Sequence, residues 1–241
     1  MSTRGAALGA AFLVLAASGC GGGDKPSNNR PANGSAGAGG ASVAAIRDAM
    51  PKKTDFPDGW QPRTQTTPPA TLPGINGTNT QISSVAPDQC LNFAAEFISA
   101  PGSSIPGEFV SSVIAPVPAP GSGTVMIIAA RKTRNWESPA AVRDSLRDCS
   151  DITADLSVGG ASNPAAFVSS PVDTSSIKAE AAGRATLIHA GDEETSIVVV
   201  RAQTRGVLVA ATAHTNPAVG EDQKALLVKL VGETVDKLDK L

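Results

Sequence analysis

The two histidines are the first residues to test for chemistry, because imidazole can act as a general acid, a general base or a metal ligand near neutral pH. His189 and His214 lie at the ends of two predicted strands, and Asp192 and Glu193 follow His189 in a short turn. If the two strand ends are neighbours, these four side chains form a polar cluster. The alternative interpretation is that both histidines are surface or edge residues and that the acidic turn is simply solvated.

Sequence patterns typical of catalytic and cofactor sites give a negative result. The sequence has no HExxH, CxxC, GxSxG, Walker A or GxGxxG pattern, so zinc chemistry, a serine nucleophile elbow and nucleotide binding all lack support. We therefore predict no catalytic residues, no metal site and no cofactor. On this evidence the chain is not expected to be an enzyme.

The stretch AALGAAFLVLAASGC, Ala6 to Cys20, determines the predicted location. It follows Arg4 and has the length of a signal-peptide core, well short of the roughly 20 residues that a spanning helix needs. Small residues lead into Cys20 as in a bacterial lipobox, although Ala17 stands where the lipobox usually has Leu. We predict a lipoprotein signal peptide over residues 1–19 and acyl chains such as palmitate on Cys20. The alternative is ordinary secretory cleavage that leaves Cys20 as a free thiol.

Only Cys90 and Cys149 remain once Cys20 is assigned to the anchor. Disulfides persist in the oxidising compartment that an export signal implies, so we expect these two cysteines to be paired. A pair of buried free thiols is the alternative. Each cysteine lies on the inward face of a predicted helix, which predicts a disulfide between two helices.

Composition and charge limit the architecture and the partners. The chain has no Tyr, two Trp and six Phe, so a core must be built from Val, Ile, Leu and Ala. Its formal net charge is −2 with scattered basic residues, which implies neither nucleic acid nor an anionic membrane surface as a partner. Residues 20–41 are rich in Gly, Ser, Asn and Pro, which predicts a flexible tether. Residues 42–241 have the length of one globular domain.

Several elements can be placed in the first two thirds of that domain. Ser42 and Ser138 are predicted N-caps of helices, and Phe56 and Trp60 flank a Pro/Gly turn as expected core anchors. Residues 61–80 are predicted to be an irregular loop. Strands are predicted at 81–85, 108–115 and 124–131, and helices at 43–50, 87–98 and 139–149. Residues 150–183 are weakly patterned, with one short strand near 166–169.

The C-terminal third has the clearest pattern. Residues 184–190, 195–203 and 207–214 are β-branched runs joined by short polar turns, which predicts an antiparallel meander. A final helix is expected after a cap at Asn216-Pro217. Its predicted apolar stripe consists of Leu227, Leu230, Val231, Val235, Leu238 and Leu241. These patterns together predict an α+β fold in which helices pack on an antiparallel sheet.

The order of these features resembles a known group of proteins. A lipobox, a Gly/Ser tether, the FPDGW turn at 56–60, a cysteine after PDQ and a second one at the end of the next helix precede the meander and terminal helix. This arrangement resembles mycobacterial and related actinobacterial surface lipoproteins of unknown function, whose exported domains are similar to the extracellular sensor domain of the kinase PknH. The resemblance implies an α+β domain with a groove for an unidentified ligand, and it implies no catalytic residues.

The function expected from these features is a lipid-anchored protein on the extracytoplasmic face of the cell membrane, with a noncatalytic ligand-binding or sensor-like domain. Its expected partners are the membrane, through the acyl chains on Cys20, and a small-molecule or lipid ligand at unknown residues. Two alternatives remain open: a carrier of lipid or another hydrophobic ligand, and a structural or protein-interaction accessory of the cell envelope.

Overall fold

The computed structural model of the chain describes residues 41–67, 81–98, 108–117, 122–131, 138–158, 161–216 and 220–241, which all fall in one compact unit. The helices are α1 (Val43–Ala49), α2 (Leu91–Ile98), α3 (Pro139–Asp148) and α4 (Glu221–Asp239). The strands are β1 (Arg63–Gln65), β2 (Gln81–Ala86), β3 (Glu108–Pro116), β4 (Ser122–Arg131), β5 (Asp151–Val158), β6 (Ala161–Val172), β7 (Glu180–Ala190), β8 (Glu193–Thr204) and β9 (Val207–Asn216). Two short 3-10 helices cover Lys53–Asp55 and Asp88–Cys90.

The nine strands form one sheet in the order β1-β3-β4-β9-β8-β7-β6-β5-β2, and every neighbouring pair is antiparallel. The predicted α+β class with an antiparallel sheet is confirmed, and β7, β8 and β9 are the predicted meander. The central strand β8 is buried on both faces, which explains its uninterrupted apolar run over Ile197–Val200. A strand covered on one face only would alternate apolar and polar residues instead.

The first face of the sheet is covered by α1 and α4. Ile46 of α1 and the apolar stripe of α4 pack against inward residues of β4, β8 and β9, such as Ile127, Val200 and Val209. The predicted α4 stripe is buried except at its last member, since Leu227, Leu230, Val231, Val235 and Leu238 are 0% exposed and Leu241 is 54% exposed. Phe56 and Trp60 are buried in the same cluster, with ring centroids 5.9 Å apart.

An ion pair joins the segment between α1 and β1, named here the N-terminal arm, to α4. The Lys237 ammonium lies 3.1 Å from the Asp55 carboxylate, which also accepts a hydrogen bond from the Lys52 backbone N–H. Partial burial raises the pKa of Asp55, but these two hydrogen bonds and the positive charges of Lys237 and Lys229 outweigh it, so the pKa is lowered. The carboxylate is therefore charged at neutral pH and fixes the arm against the helix.

The second face of the sheet is covered by α2 and α3. Phe93 and Ala94 of α2 pack with Cys90, Cys149 and inward residues of β5, β6 and β8. Arg184 of β7 is only 2% exposed on this face. Its guanidinium donates a hydrogen bond to the Ser145 hydroxyl of α3 at 2.7 Å and lies 4.3 Å from the centre of the Phe93 ring. This one cation therefore connects both helices to the sheet.

The structure joins Cys90 and Cys149 in a disulfide, with 5.7 Å between their Cα atoms. The prediction of a bridge between two helices holds only in part. Cys90 ends the 3-10 helix Asp88–Cys90 just before α2, and Cys149 is the residue that caps the C-terminus of α3. The bridge therefore joins the start of one helical segment to the end of another.

Other expectations need correction. The segment 150–183 contains the long strands β5 and β6 where one short strand was expected, and the expected loop at 61–80 contains β1, while 68–80 lie outside the described residues. The final helix starts at Glu221 with Gly220 as its N-cap, because β9 continues to Asn216. Ser42 and Ser138 do cap α1 and α3 as predicted, each accepting a hydrogen bond from a backbone N–H three residues later.

A helix that spans a bilayer needs about 20 predominantly apolar residues. The longest of them, α4, has 19 residues and carries charges along its length. Within the described ranges no helix has both the length and the apolar character to cross a bilayer.

Removing the disulfide should lower the stability of the fold. The bridge spans 59 residues in sequence, and the chain-entropy model assigns a loop of this size about 4 kcal/mol, less any strain. We expect the double variant Cys90→Ala/Cys149→Ala to lose about 2–4 kcal/mol in urea denaturation. Equal free energies of unfolding for the variant and the oxidised protein would contradict this prediction.

Candidate functional site

A groove runs between α4 and the segment from Ser170 to Ser176, which comprises the last residues of β6 and the turn after it. It has a volume of about 750 Å³. One wall is the face of α4 that points away from the core, and the other is the end of β6 with the turn after it. The described residues that line it are Ser170, Pro171, Val172, Asp173, Ser176, Glu221, Lys224, Ala225, Val228, Lys229, Gly232, Glu233 and Asp236.

The floor of this groove, named here the α4 groove, is apolar. Ala225, Val228 and Gly232 follow one another at i, i+3 and i+7 and therefore form a single stripe on the helix. Val172 faces them from β6, and both valines are partly buried against the core cluster beneath. The floor can accept apolar groups of a ligand.

The rim of the α4 groove is charged. Lys224 pairs with Glu221 at 2.7 Å and Lys229 with Glu233 at 3.8 Å along the helix. The Asp236 carboxylate lies 3.7 Å from the ammonium of Lys178, whose side chain is 77% exposed.

Asp173 lies on the wall opposite α4 and is also charged. Hydrogen bonds from the Ser175 backbone and side chain lower the pKa of Asp173. The two walls of the α4 groove therefore each carry a carboxylate, Asp173 on one and Asp236 on the other.

A second groove, of about 640 Å³, lies on the same side of the sheet where β2, β5 and β6 meet. Its floor includes small residues such as Ala86 and Ala166, and its polar groups include Ser84, whose hydroxyl donates to the Asp155 carboxylate at 2.7 Å. His189 lies at its margin. Like the α4 groove, it is open to solvent.

The hypothesised histidine cluster is wrong. His189 of β7 lies opposite Glu194, and His214 of β9 lies opposite Ile197 of β8. Residues 194 and 197 of one strand point to opposite faces, so the two histidines lie on opposite faces of the sheet. Asp192 and Glu193 are exposed beside the tight turn at Gly191.

Each histidine therefore has its own surroundings. His189 is exposed, and its Nδ1 lies 3.5 Å from the Glu194 carboxylate. His214 is partly buried beside Ile197 and Thr124, its neighbours on β8 and β4. Burial lowers the pKa of His214 below its ordinary value of 6.5.

Metal binding and nucleophilic catalysis both depend on side chains that converge on one point. Among the residues that the structure describes, no three His, Cys, Asp or Glu side chains converge as metal ligands do. Sequence reasoning overlooked one Ser-x-x-Lys spacing, Ser175 to Lys178, which is a possible nucleophile and base pair. Lys178 pairs with Asp236, and the Ser175 backbone N–H donates to Asp173 in a turn. These two contacts hold Ser175 and Lys178 in a structured turn at the edge of the α4 groove.

The predicted lipidation site, Cys20, lies outside the described residues. The sequence predicts no residues of this groove as a site, because the charged residues on the outward face of α4, such as Glu233 and Lys237, are typical of a solvated helix surface. One signal in the sequence could have indicated the groove. Ala225, Val228 and Gly232 form a second, weaker apolar stripe among the charged residues of α4.

Comparisons with known proteins bear on the fold. No protein-family model and no curated protein matches the chain. The crystal structure of the extracellular domain of PknH from Mycobacterium tuberculosis matches with a TM-score of 0.52 and 11% identity, over 85% of this chain and 100% of that chain. The structure of an uncharacterised Mycobacterium smegmatis protein, a Rv0999 ortholog, gives a TM-score of 0.45 and 18% identity, over 81% and 97% of the two chains. The first of these confirms the predicted resemblance at the level of the fold.

The partly buried His214 should make stability depend on pH. Its folded-state pKa is lowered, so between pH 6.5 and that lower value the unfolded chain binds more protons than the folded one. The stabilising contribution of neutral His214 is therefore complete above pH 6.5 and is lost as the pH falls.

His214→Gln should flatten the decline in unfolding free energy between pH 7 and pH 5. His189→Gln, at the exposed histidine on the other face, is the matched control and should retain the decline. Identical pH profiles for His214→Gln and the unmodified protein, measured by urea denaturation, would be the contrary result.

Proposed function

We propose that this chain is an exported lipoprotein whose folded domain binds a ligand without catalysis, on the extracytoplasmic face of the cell membrane. The observation that supports the proposal most is the α4 groove, which has an apolar floor and a charged rim. It occurs in a fold shared with the extracellular domain of PknH. Pockets with this combination of apolar surface and a few oriented polar groups are the usual form of small-molecule sites.

The proposed organisation has three parts. Residues 1–19 are the signal peptide, residues 20–41 are the tether, and residues 42–241 are the binding domain. Two or more acyl chains at Cys20 provide stable anchoring. A flexible tether of this length has a mean end-to-end distance of about 25 Å, so the domain can reach soluble ligands close to the bilayer.

The character of the grooves favours binding over catalysis. Within the described residues the α4 groove is lined by carboxylates, lysines, hydroxyls and aliphatic groups, with neither histidine among them. General acid–base and nucleophilic mechanisms need a base within hydrogen-bond reach of the reacting group. The turn at Ser175 directs its lysine to Asp236 instead.

Both grooves are open to solvent, which bears on whether they bind a lipid or a more polar ligand. A lipid carrier shields acyl chains from water in an enclosed apolar cavity. The α4 groove has charges along both walls, which suits a polar or amphiphilic ligand that stays partly in water. The two alternative functions, a lipid carrier and an accessory protein of the cell envelope, are therefore distinguished by the experiments below.

The anchor can be tested by one substitution. Cys20→Ala removes the thiol that accepts the diacylglycerol, so the variant should leave the membrane pellet for the soluble fraction or stay as uncleaved precursor. Metabolic labelling with an alkyne fatty acid should mark the unmodified protein and not the variant. A control variant at a buried cysteine pair, Cys90→Ala/Cys149→Ala, should keep the label. Equal labelling of Cys20→Ala would exclude lipidation at Cys20.

Ligand binding can be tested by native mass spectrometry of the protein purified from an exporting host. We expect a mass excess in the native spectrum that disappears on denaturation. A lipid mass beyond the anchor would favour the carrier alternative. A bare mass would contradict a tightly bound ligand and shift support to an envelope interaction protein.

A further inference from the structure

Residues 81–98 form a unit at one edge of the sheet, named here the edge flap. It consists of β2, the 3-10 helix Asp88–Cys90 and α2. β2 is the last strand in the sheet order, so β5 is its one neighbour, and the register between the two strands shifts between Ile82 and Ser84. Of the six residues of β2, only Val85 is buried. The ladder to β5 is therefore a weak attachment.

The edge flap covers part of the second face of the sheet. Val85, Phe93 and Ala94 pack against buried residues of β5 and β6, such as Ile152 and Phe167. The larger core on the first face, between α4 and the central strands, includes none of the flap residues that the structure describes. That core stays complete if the edge flap leaves the sheet, and β5 then becomes the edge strand.

Arg184 of β7 meets the edge flap on one side and α3 on the other. Its guanidinium lies 4.3 Å from the centre of the Phe93 ring and donates a hydrogen bond to the Ser145 hydroxyl at 2.7 Å. α3 has a further contact with β7, because Arg143 pairs with Glu180 at 2.7 Å. α3 is therefore attached to the sheet without the edge flap.

The disulfide is a covalent cross-link between the edge flap and α3. Cys90 lies in the flap, and Cys149 caps the end of α3. While the bridge is intact, the start of α2 stays at the end of α3, and this proximity keeps Phe93 beside Arg184. Without the bridge, the flap depends on the noncovalent contacts of an edge strand and an eight-residue helix. Such elements are the ones that open locally in folded proteins.

We propose that the edge flap is redox-controlled: the disulfide keeps it closed, and reduction by a dithiol lets it open while the rest of the sheet stays folded. Opening uncovers Arg184 on its Phe93 side and leaves the backbone groups of β5 unpaired. The open state therefore presents a cation and a free strand edge that the closed state covers. The α4 groove lies on the other face of the sheet, so this inference is independent of the proposed ligand site.

Reduction proceeds by thiol–disulfide exchange. A thiolate of the dithiol attacks the sulfur of Cys149, which is 7% exposed where Cys90 is 0% exposed. The sulfur–sulfur bond breaks, and Cys90 leaves as a thiolate that takes up a proton. The second thiol of the reductant then displaces Cys149 and closes the reductant's own disulfide. The protein gains two electrons and two protons, which the dithiol loses.

Hydrogen–deuterium exchange tests whether the flap opens alone. The protein purified from an exporting host is measured before and after treatment with dithiothreitol. After reduction, the backbone amides of residues 81–98 should exchange roughly tenfold faster, while α3, α4 and the central strand β8 keep their rates within about threefold. The variant Cys90→Ala/Cys149→Ala should show the same pattern without reductant.

The rate of reduction tests the contact between Phe93 and Arg184. Because the cysteines are buried, dithiothreitol reaches them when the flap opens transiently, so the rate reports opening. Phe93→Leu removes the ring but keeps an apolar side chain, and should raise the rate about fivefold. Leu91→Ala changes a residue of the same helix that is 48% exposed, and should leave the rate unchanged. Thiols are counted on the peptides of the two bridge cysteines, so that Cys20 does not contribute.

Several results would overturn the inference. Equal exchange of residues 81–98 in both redox states means that the flap stays closed without the bridge. Loss of protection throughout, including α4 and β8, makes the bridge a cross-link of the whole fold. A bridge that dithiothreitol does not reduce in the folded protein, or equal reduction rates for Phe93→Leu and Leu91→Ala, also contradicts the edge flap.

Discussion

The packing of α4 on the central strands β8 and β9 is the contact on which the rest of the structure depends. Five aliphatic side chains of this helix are fully buried, and each contributes roughly 1.5–3 kcal/mol relative to exposure. With so few aromatic residues in the chain, the core requires a long helix and long strands to bury enough aliphatic surface. The same helix forms the ion pair between Lys237 and Asp55, which lies between α1 and β1. The opposite side of α4 is one wall of the α4 groove.

The second face of the sheet has a different basis. The disulfide and the buried Arg184 hold α2 and α3, two short helices of eight and ten residues, against the sheet. Helices this short are marginal on their own in water, so a covalent bridge and a cation shared by two helices supply what the small apolar surface does not. The helices on one face of the sheet are therefore cross-linked by the disulfide, and the other face carries both grooves.

Sequence patterns predicted the elements whose apolar residues recur at one clear spacing, that of a strand or that of a helix. The meander, β2 to β4 and the buried stripe of α4 follow directly from their apolar spacing, and the serine caps from their position. The strand β5 was missed, and β6 was predicted only near 166–169, for a physical reason: their inward residues Ala154 and Ala165 are small, and Pro164 and Pro171 argue against a strand. The histidine cluster failed because it required two strand ends to share a face, and the register places them on opposite faces. The α4 groove depends on how one segment lies against another, which spacing within a single helix does not determine.

The most direct test of the central claim is hydrogen–deuterium exchange of the protein as purified from an exporting host, compared with the same protein after unfolding and refolding to remove any ligand. If the α4 groove is the ligand site, the purified protein will show slower exchange at residues 225–236 and 170–176, while α3 on the other face will exchange equally in both samples. Slower exchange confined to α2 and α3, or identical exchange throughout, would contradict the account.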